Sequence, residues 1–358
     1  MKRFVLTTLL SLTLSQAIFA QAIIDPFDDN ALSDYLTAQR FSGAVLLRSG
    51  QGLETQMASG TGDLAGTRPL NSSSRFRIAS ITKLFTAVLV MQLVDEGKMT
   101  LDSTIDELLA GLSIANAGKI TVRNLLQHTS GLRNEAKTSY MAYNSPDKLI
   151  ERFATKKALF KPGKDLNYNN IDYIILGKII EQLTGKSFSE NLQERIIDKL
   201  NLKDTGIDTT FEKDQGVVAS FMVKDGQKKP ETKAHIENIW AAGDMYSTVT
   251  DLLIFVDALK AEKLVSRSSM DKLFKSEPKL GYVALGSWTF NSPFISGSPR
   301  VLERRGGILG STSVIMTNLN GPETLIVLSN TDEFNPDTFG QADNMKEYLF
   351  KALFEEEN

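Results

Sequence analysis

Strand-forming segments lie near both ends of the chain, and the long stretch between them has helical patterns. Residues 43–48 and 53–58 read as two strands, with Gly50 and Gly52 between them as a hairpin turn. Strand patterns return only at 282–290, 311–317 and 324–329. This order favours one antiparallel sheet that unites the early and late strands, with the middle of the chain folded as an inserted lobe.

Apolar residues at helical spacing predict the helices around that sheet. Terminal helices at 28–39 and 337–354 would flank it, and 80–96 is apolar on nearly every side, which indicates a buried helix. Another helix begins near Thr250 after a cap at Ser247 or Thr248. The remaining predicted helices, all in the central block, are 121–128, 146–153, 171–183 and 188–200.

The expected fold class is therefore α+β, an antiparallel sheet flanked by helices with an inserted all-helical lobe. The α/β lobe would comprise residues 23–80 and 240–358, and the helical lobe residues 81–239. A substrate site is expected in the cleft between two such lobes.

The first 22 residues have the pattern of a secretory signal peptide. Lys2 and Arg3 precede an apolar run at 4–14, and Ala20 and Ala22 form an Ala-x-Ala end. A membrane anchor fits less well, because polar residues interrupt the run and a span needs about 18 apolar residues. We expect cleavage at Ala20 or Ala22 and a mature domain, 23–358, that is periplasmic or secreted with no membrane anchor.

The composition excludes several kinds of site. The chain has no cysteine, which removes disulfides, thiol nucleophiles and thiolate metal sites. His128 and His235 are its two histidines, so a multi-histidine metal site would need unusual help from carboxylates. With 40 Lys and Arg against 43 Asp and Glu, the net charge of −3 gives no basic surface for nucleic acid.

A Ser-x-x-Lys motif offers nucleophilic chemistry without histidine or cysteine. Three residues make nearly one helical turn, so the serine and the lysine project from the same face. A desolvated lysine amine at that position can hold or relay the proton of the serine hydroxyl. The spacing occurs at Ser80/Lys83, Ser145/Lys148, Ser269/Lys272 and Ser276/Lys279.

The surroundings of these serines favour Ser80. Ser145 precedes Pro146 and is more simply a helix N-cap. Ser269 and Ser276 lie in a polar, charge-rich stretch that is typical of a solvated surface. Ser80 opens the buried apolar helix, where its own backbone N–H and the helix dipole would stabilise an oxyanion.

Several motifs follow one another along the chain. After Ser80 come Leu93-Val94-Asp95-Glu96-Gly97-Lys98, Leu125-Leu126-Gln127-His128-Thr129-Ser130-Gly131-Leu132, Pro162-Gly163, Tyr168-Asn169-Asn170 and Ala242-Gly243-Asp244-Met245-Tyr246-Ser247-Thr248. Together, over residues 41–330, they resemble the serine β-lactamase and penicillin-binding protein family. The likeness is to its class C-like branch, which includes β-lactamase-related hydrolases, D-alanyl-D-alanine carboxypeptidases and esterases. It implies the β-lactamase/transpeptidase-like fold.

The resemblance also implies a role for each matching residue. Ser80 would be the acylated nucleophile and Lys83 its proton partner. Tyr168 would take the serine proton, because a nearby cation favours the phenolate form of a tyrosine. Asn170 would hold the lysine and the substrate amide.

The third motif of the family departs from its usual pattern, which is Lys or His, any residue, and Gly on a strand beside the cleft. Here Arg304-Arg305-Gly306 is followed by Gly307. Arg304 would bind a substrate carboxylate and help to hold Tyr168 ionised, or a register shifted by one would give this role to Arg305. Gly306 would let the substrate backbone approach the strand, and the N–H of Gly307 would be the second oxyanion donor.

No Gly-x-Ser-x-Gly motif occurs in the chain, so the nucleophile elbow of the α/β-hydrolases is absent. His128 invites a Ser-His-Asp interpretation, because it is one of two histidines. In the family that the chain resembles, the matching histidine lies in a structural turn away from the chemistry. We therefore expect neither His128 nor His235 to be catalytic.

The sequence thus predicts an exported serine hydrolase that acts through an acyl-enzyme. Its substrate would be a β-lactam, a D-Ala-D-Ala-type peptide or a small ester, so its partners are small molecules or peptidoglycan peptides. No metal and no organic cofactor are expected. The alternative is a non-catalytic penicillin-binding sensor that is acylated slowly and never turns over.

Overall fold

The computed structural model describes residues 23–109, 111–208, 216–231, 234–341 and 343–355. The predicted signal peptide at 1–22 lies outside these described residues. Within them, no helix has the length and apolar character needed to cross a membrane.

Strands and helices are numbered here along the chain. The strands are β1 Gly43–Arg48, β2 Glu54–Ser59, β3 Phe76–Arg77, β4 Gly206–Ile207, β5 Phe221–Lys224, β6 Gln227–Pro230, β7 Met245–Ser247, β8 Trp288–Asn291, β9 Arg300–Ile308, β10 Ser311–Asn318 and β11 Thr324–Ser329. The α-helices are α1 Asp29–Ala38, α2 Thr82–Asp95, α3 Ile105–Leu108, α4 Val122–Leu126, α5 Pro146–Leu149, α6 Ile171–Thr184, α7 Phe188–Leu192, α8 Asp198–Leu200, α9 Val249–Lys260, α10 Arg267–Leu273 and α11 Met345–Ala352.

An antiparallel sheet in the order β2-β1-β11-β10-β9-β8 forms the centre of the α/β lobe. β1 pairs with β2 on one side and with β11 on the other, so that Gly43 faces Ser329 and Arg48 faces Thr324. The early and late strands therefore share one sheet, as the order of patterns predicted. This confirms the α+β fold class.

Helices cover both faces of this sheet. Because side chains alternate along a strand, Leu46 and Ile326 pack into the core that contains α2 and α9. Their neighbours Leu47 and Val327 pack on the opposite face, into the core that contains α1 and α11. Residues 44–47 of β1 and 325–328 of β11 are therefore apolar and buried on both faces of the sheet.

The inserted segment from α2 to α8 is helical, as expected. Its core is formed by α2 and α6, and the predicted stop of α6 is confirmed by Gly185, whose φ of +69° suits a left-handed helix end. The N-cap prediction for Ser145 is also confirmed, because its hydroxyl accepts the N–H of Lys148 at the start of α5.

Several predicted boundaries are wrong. The strand predicted at 282–290 is limited to β8, because Gly281, Tyr282 and Gly286 have φ angles of +68°, +64° and +80°, which an extended strand does not allow. The last helix begins at Met345 and not at residue 337. The side chain of Asn344 caps its first turn.

The segment after α8 contains short strands that the sequence analysis did not predict. β4 pairs with β7, which pairs with β3, and β5 forms a hairpin with β6. The all-helical part of the inserted lobe therefore ends at α8 instead of extending to residue 239. Ser269 is also buried, not solvated, and donates a hydrogen bond to Asp95.

Candidate active site

Ser80 lies in a tight turn at the mouth of the cleft. Ala79–Ile81 form a 3-10 turn directly before α2, and Ala79 has a φ of +47°, a strained conformation for a residue with a side chain. The turn is held by its neighbours, since the N–H of Ile78 bonds to the carbonyl of Met245 and the hydroxyl of Ser313 to the carbonyl of Ile78. Ser80 itself is half-buried and open to the cleft.

Lys83 lies one helical turn after Ser80 and has no exposed surface. Its Nζ is 3.1 Å from the Ser80 Oγ, 2.7 Å from the Asn170 Oδ1 and 2.7 Å from the carbonyl oxygen of Ala242. Burial lowers the pKa of Lys83 below its usual value, while the hydroxyl of Tyr168 acts in the opposite direction. The amine is thus held rigidly beside the serine by three acceptors.

Tyr168 brings its hydroxyl to the same serine. Its oxygen lies 2.8 Å from the Ser80 Oγ and 2.9 Å from Nη2 of Arg304. The ring is 37% exposed along the cleft, whereas the hydroxyl is enclosed by Ser80, Lys83 and Arg304. Burial raises the pKa of Tyr168, but the charges of Arg304 and then Lys83 outweigh it and lower the pKa to about 8.

His128 packs behind Tyr168, closer to the chemistry than the sequence predicted. The two rings are 4.3 Å apart, and Nδ1 of the imidazole accepts the N–H of Asn169 at 3.4 Å instead of facing Ser80. Burial, with the charges of Lys83 and Arg304, lowers the pKa of His128 well below its usual value. The imidazole is therefore neutral and supports the Tyr168 ring by packing against it. His235 is half-exposed and pairs with Glu237.

Asn170 joins Lys83 to a carboxylate that the sequence analysis did not consider. Its Oδ1 accepts from Lys83, and its Nδ2 donates to the Glu135 Oε1 at 2.7 Å. Tyr140 also donates its hydroxyl to the same oxygen of Glu135. Both residues stand in the segment between α4 and α5, whose sequence carries no pattern that predicts this position.

The two arginines of the third motif have different surroundings. Arg304 is buried, and its Nε donates to the carbonyl oxygen of Ser80 at 2.7 Å while its Nη2 donates to Tyr168. Arg305 is partly exposed, pairs with Glu303 and Asp337, and lines the cleft. Arg304 is thus bound to the machinery around Ser80, and Arg305 is the arginine that faces open space.

The two glycines that follow also differ. A side chain at Gly306 would collide with the carbonyl of Ile78 and the hydroxyl of Ser313, and its Cβ would lie 3.1 Å from the backbone nitrogen of Ser80. A Cβ at Gly307 would meet only the carbonyl oxygen of Ser311, at 4.0 Å. Gly306 therefore lets β9 approach the Ser80 turn, and both glycines border the cleft.

Two pockets meet at Ser80. One, of 390 Å³, is lined by Ser80, Tyr168, Trp288, Arg305, Gly306, Gly307 and Asp337. The other, of 540 Å³, runs past Tyr140, Asn170, Met222, Ile236 and Leu309 to Asp332. A larger cavity of 620 Å³ lies between α1, α11 and the end of β8, and none of the predicted site residues lines it. Within the described residues, no group of His, Asp and Glu is arranged to hold a metal ion.

The structure brings together every residue that the sequence predicted for the site. Ser80, Lys83, Tyr168, Asn170 and Arg304 are joined by hydrogen bonds, and Gly306 and Gly307 border Ser80. The sequence missed Glu135, Tyr140 and Trp288. No motif or spacing in the sequence marks them. Glu135 and Tyr140 come from the segment between α4 and α5 and Trp288 from β8, and only the fold brings these segments to the site.

Comparison with known proteins gives a consistent result. The model of the Beta-lactamase family matches residues 23–350. Penicillin-binding protein 4* of Bacillus subtilis is 24% identical over 316 residues, which are 82% of this chain and 69% of that protein. Teichoic acid D-alanine hydrolase of Staphylococcus aureus is 26% identical over 238 residues, which are 66% of this chain and 58% of that protein.

A solved structure has the same architecture over most of its length. D-stereospecific amidohydrolase from Streptomyces sp. superposes with a TM-score of 0.73 at 25% identity. The superposition covers 89% of this chain and 96% of that one. The arrangement of lobes described above is therefore shared with a β-lactamase/transpeptidase-like fold.

Proposed function

This chain belongs to the Beta-lactamase family, and from that premise we propose that it is an exported serine hydrolase that cleaves amides or esters through an acyl-enzyme. One observation carries the proposal: the Ser80 Oγ lies within hydrogen-bond reach of both the Tyr168 hydroxyl and the Lys83 amine. A general base must be that close to the proton it removes. Two of the proteins named above, teichoic acid D-alanine hydrolase and D-stereospecific amidohydrolase, are named as hydrolases.

Acylation begins with proton transfer from Ser80. The Tyr168 phenolate, stabilised by the charges of Arg304 and Lys83, takes the proton as the Ser80 Oγ attacks the substrate carbonyl carbon. The developing oxyanion accepts hydrogen bonds from the N–H groups of Ser80 and Gly307. Tyr168 then returns the proton to the leaving nitrogen or oxygen, whose bond to the carbonyl carbon breaks.

Deacylation repeats these steps with water. Tyr168 takes a proton from the water, the hydroxide attacks the ester carbonyl, and the bond to the Ser80 Oγ breaks. The proton passes from Tyr168 back to that oxygen, which restores the free enzyme. Lys83 stays in place throughout, held by Asn170 and the carbonyl of Ala242.

The substrate we propose is a D-aminoacyl amide or ester. Teichoic acid D-alanine hydrolase and D-stereospecific amidohydrolase are both named for D-configured substrates. The 540 Å³ pocket beside Ser80 would take the acyl group, and the 390 Å³ pocket would take the leaving group. Arg305 lines the smaller pocket, and we propose that it binds the carboxylate of a leaving group that carries one, such as an amino acid.

The location we propose is outside the cytoplasm. It rests on the charged start, apolar run and Ala-x-Ala end of residues 1–22. N-terminal sequencing of the protein recovered from periplasm or culture medium tests it, with Gln21 or Ile23 expected as the first residue. A protein recovered with Met1 intact would contradict the proposal.

The test of the reaction is an adduct experiment. The mature protein is mixed with a D-alanyl ester, a D-amino acid amide and a labelled penicillin, and its intact mass is followed with time. An enzyme forms an adduct on Ser80 that decays as product appears, and Ser80→Ala forms no adduct and gives no product. A stable adduct without product would favour the non-catalytic binder. An adduct on any other residue would overturn the assignment of Ser80.

A further inference from the structure

Behind the site lies a carboxylate that the steps above do not use. Glu135 is half-buried, and its Oε1 accepts one hydrogen bond from the Nδ2 of Asn170, at 2.7 Å, and another from the hydroxyl of Tyr140. The Tyr140 hydroxyl also lies 3.3 Å from the Asn170 Nδ2. Glu135, Tyr140 and the amide of Asn170 therefore form a closed triangle of contacts.

This triangle determines which end of the Asn170 amide faces Lys83. An amide has an oxygen that accepts and a nitrogen that donates, and the two differ little in shape. A carboxylate accepts only, and an ammonium donates only. Glu135 on one side and Lys83 on the other therefore require the orientation that the structure has, with Oδ1 on Lys83 at 2.7 Å.

Glu135 also contributes to the charge balance around Lys83. Burial lowers the pKa of Lys83, the charge of Arg304 lowers it further, and Tyr168 and Glu135 raise it. Burial and the charge of Glu135 raise the pKa of Tyr140, so that this hydroxyl stays protonated and keeps donating to the carboxylate. The other carboxylate oxygen, Oε2, is buried without a hydrogen-bond partner among the described residues. Both hydrogen bonds to the Glu135 carboxylate are therefore made at Oε1.

We propose that Glu135 is a positioning residue that acts through Asn170, fixing the amide so that its oxygen holds Lys83 beside Ser80. The inference rests on the proposed function, since it assigns Glu135 to the same acyl transfer. In this role Glu135 never touches the substrate. It keeps the amine charged and in register with the serine.

The test compares Glu135→Gln with Glu135→Asp across the pH range on both sides of 8. Glutamine keeps the size and an acceptor oxygen but removes the charge. We expect kcat/KM for a neutral ester to fall roughly ten- to hundredfold, the range for weakening a hydrogen bond to a charged group. At alkaline pH, kcat/KM should fall as Lys83 loses its proton, and we call this fall the alkaline limb. We expect the alkaline limb to move to lower pH in Glu135→Gln, because Lys83 loses its proton more easily without the charge of Glu135. Aspartate keeps the charge, so this pH dependence should return towards that of the original protein, but its shorter side chain no longer reaches Asn170, so kcat/KM should stay below the original value.

Two further variants serve as controls. Tyr140→Phe removes a donor to Glu135 but leaves its charge, so the alkaline limb should stay in place. Asp147→Asn removes a surface carboxylate of the same lobe that pairs with Lys178, and should change neither rate nor profile.

Two results would overturn the role of Glu135. One is a folded Glu135→Gln protein with the rate and the pH profile of the original. The other, needed if Glu135→Gln does not fold, is a Glu135→Asp protein with unchanged kcat/KM. That result would mean that the position of Asn170 does not depend on the Glu135 side chain. If the original protein forms no acyl adduct at all, it is the proposed function that fails.

Discussion

At the scale of single residues, the site depends on a phenol placed between two cations. Arg304 donates to the hydroxyl of Tyr168 at 2.9 Å, Lys83 lies 4.9 Å from the centre of its ring, and both charges favour the ionised form of Tyr168. The arginine also donates to the backbone carbonyl of Ser80. A single guanidinium thus connects the Tyr168 hydroxyl to the turn that carries Ser80.

The pH dependence of the reaction follows from this arrangement. In the proposed mechanism the Tyr168 phenolate is the base, so kcat/KM should rise as the pH increases through about 8, the pKa of Tyr168. Arg304→Met removes the main charge that lowers this pKa, so the rise should move towards 10, the ordinary value. Arg304→Lys keeps a charge and should restore much of the shift. A rise that does not move in Arg304→Met would argue against Tyr168 as the base.

Removal of the phenol itself should be more severe. Tyr168→Phe keeps the ring that packs on His128 but loses the proton acceptor, so kcat/KM should fall about 10²- to 10⁴-fold. The melting temperature should change little, since the ring is partly exposed. Steady-state kinetics and thermal unfolding of the same sample check both. Full activity in Tyr168→Phe would leave Lys83 as the base.

At the scale of elements, the close approach of β9 to the Ser80 turn is the decisive contact. Gly306 is the point of contact, where a side chain would collide with the carbonyl of Ile78. Gly306→Ala should therefore push β9 away from Ser80 and lower the free energy of unfolding by about 1–3 kcal/mol, with loss of activity.

Gly307→Ala is the matched control for stability. Its Cβ would enter open space, so the free energy of unfolding should stay close to that of the original protein. Denaturant unfolding of both variants measures the difference. Equal free energies of unfolding for Gly306→Ala and Gly307→Ala would mean that β9 can shift and accommodate the added methyl group, which would contradict the prediction.

The sequence predicted elements well where one local rule decided them. The apolar spacing of α6 and the stop at Gly185 gave its bounds almost to the residue. The prediction of a strand over 282–290 was wrong before β8, because no sequence signal reveals the positive φ angle of Tyr282. The site residues could be predicted because their motifs resemble those of a known family. Glu135 could not be predicted, because it lies on a loop whose path depends on tertiary contacts.

At the scale of the whole molecule, an early strand, β1, and the last strand, β11, pair in the middle of the sheet. β11 lies between β1 and β10, and residues of α9 and α11 pack on its two faces. A chain that ends at Asn320 lacks β11 and should not fold, because the β1–β2 hairpin is then cut off from β10 and both cores lose their central strand. Circular dichroism and limited proteolysis test this, with removal of residues 355–358 as the harmless control. A compact, protease-resistant truncated chain would contradict it.

The pairing of β1 with β11 also governs when the protein can fold as it is synthesised. The ribosome releases β1 early, but its neighbour emerges only after nearly the whole polypeptide has been made. Contacts between such distant segments form slowly, because a long loop must close before they gain anything. The six-stranded sheet therefore cannot be completed until β11 is available. If the protein is exported as proposed, this topology would delay the completion of the fold and so help the chain to pass through a narrow channel.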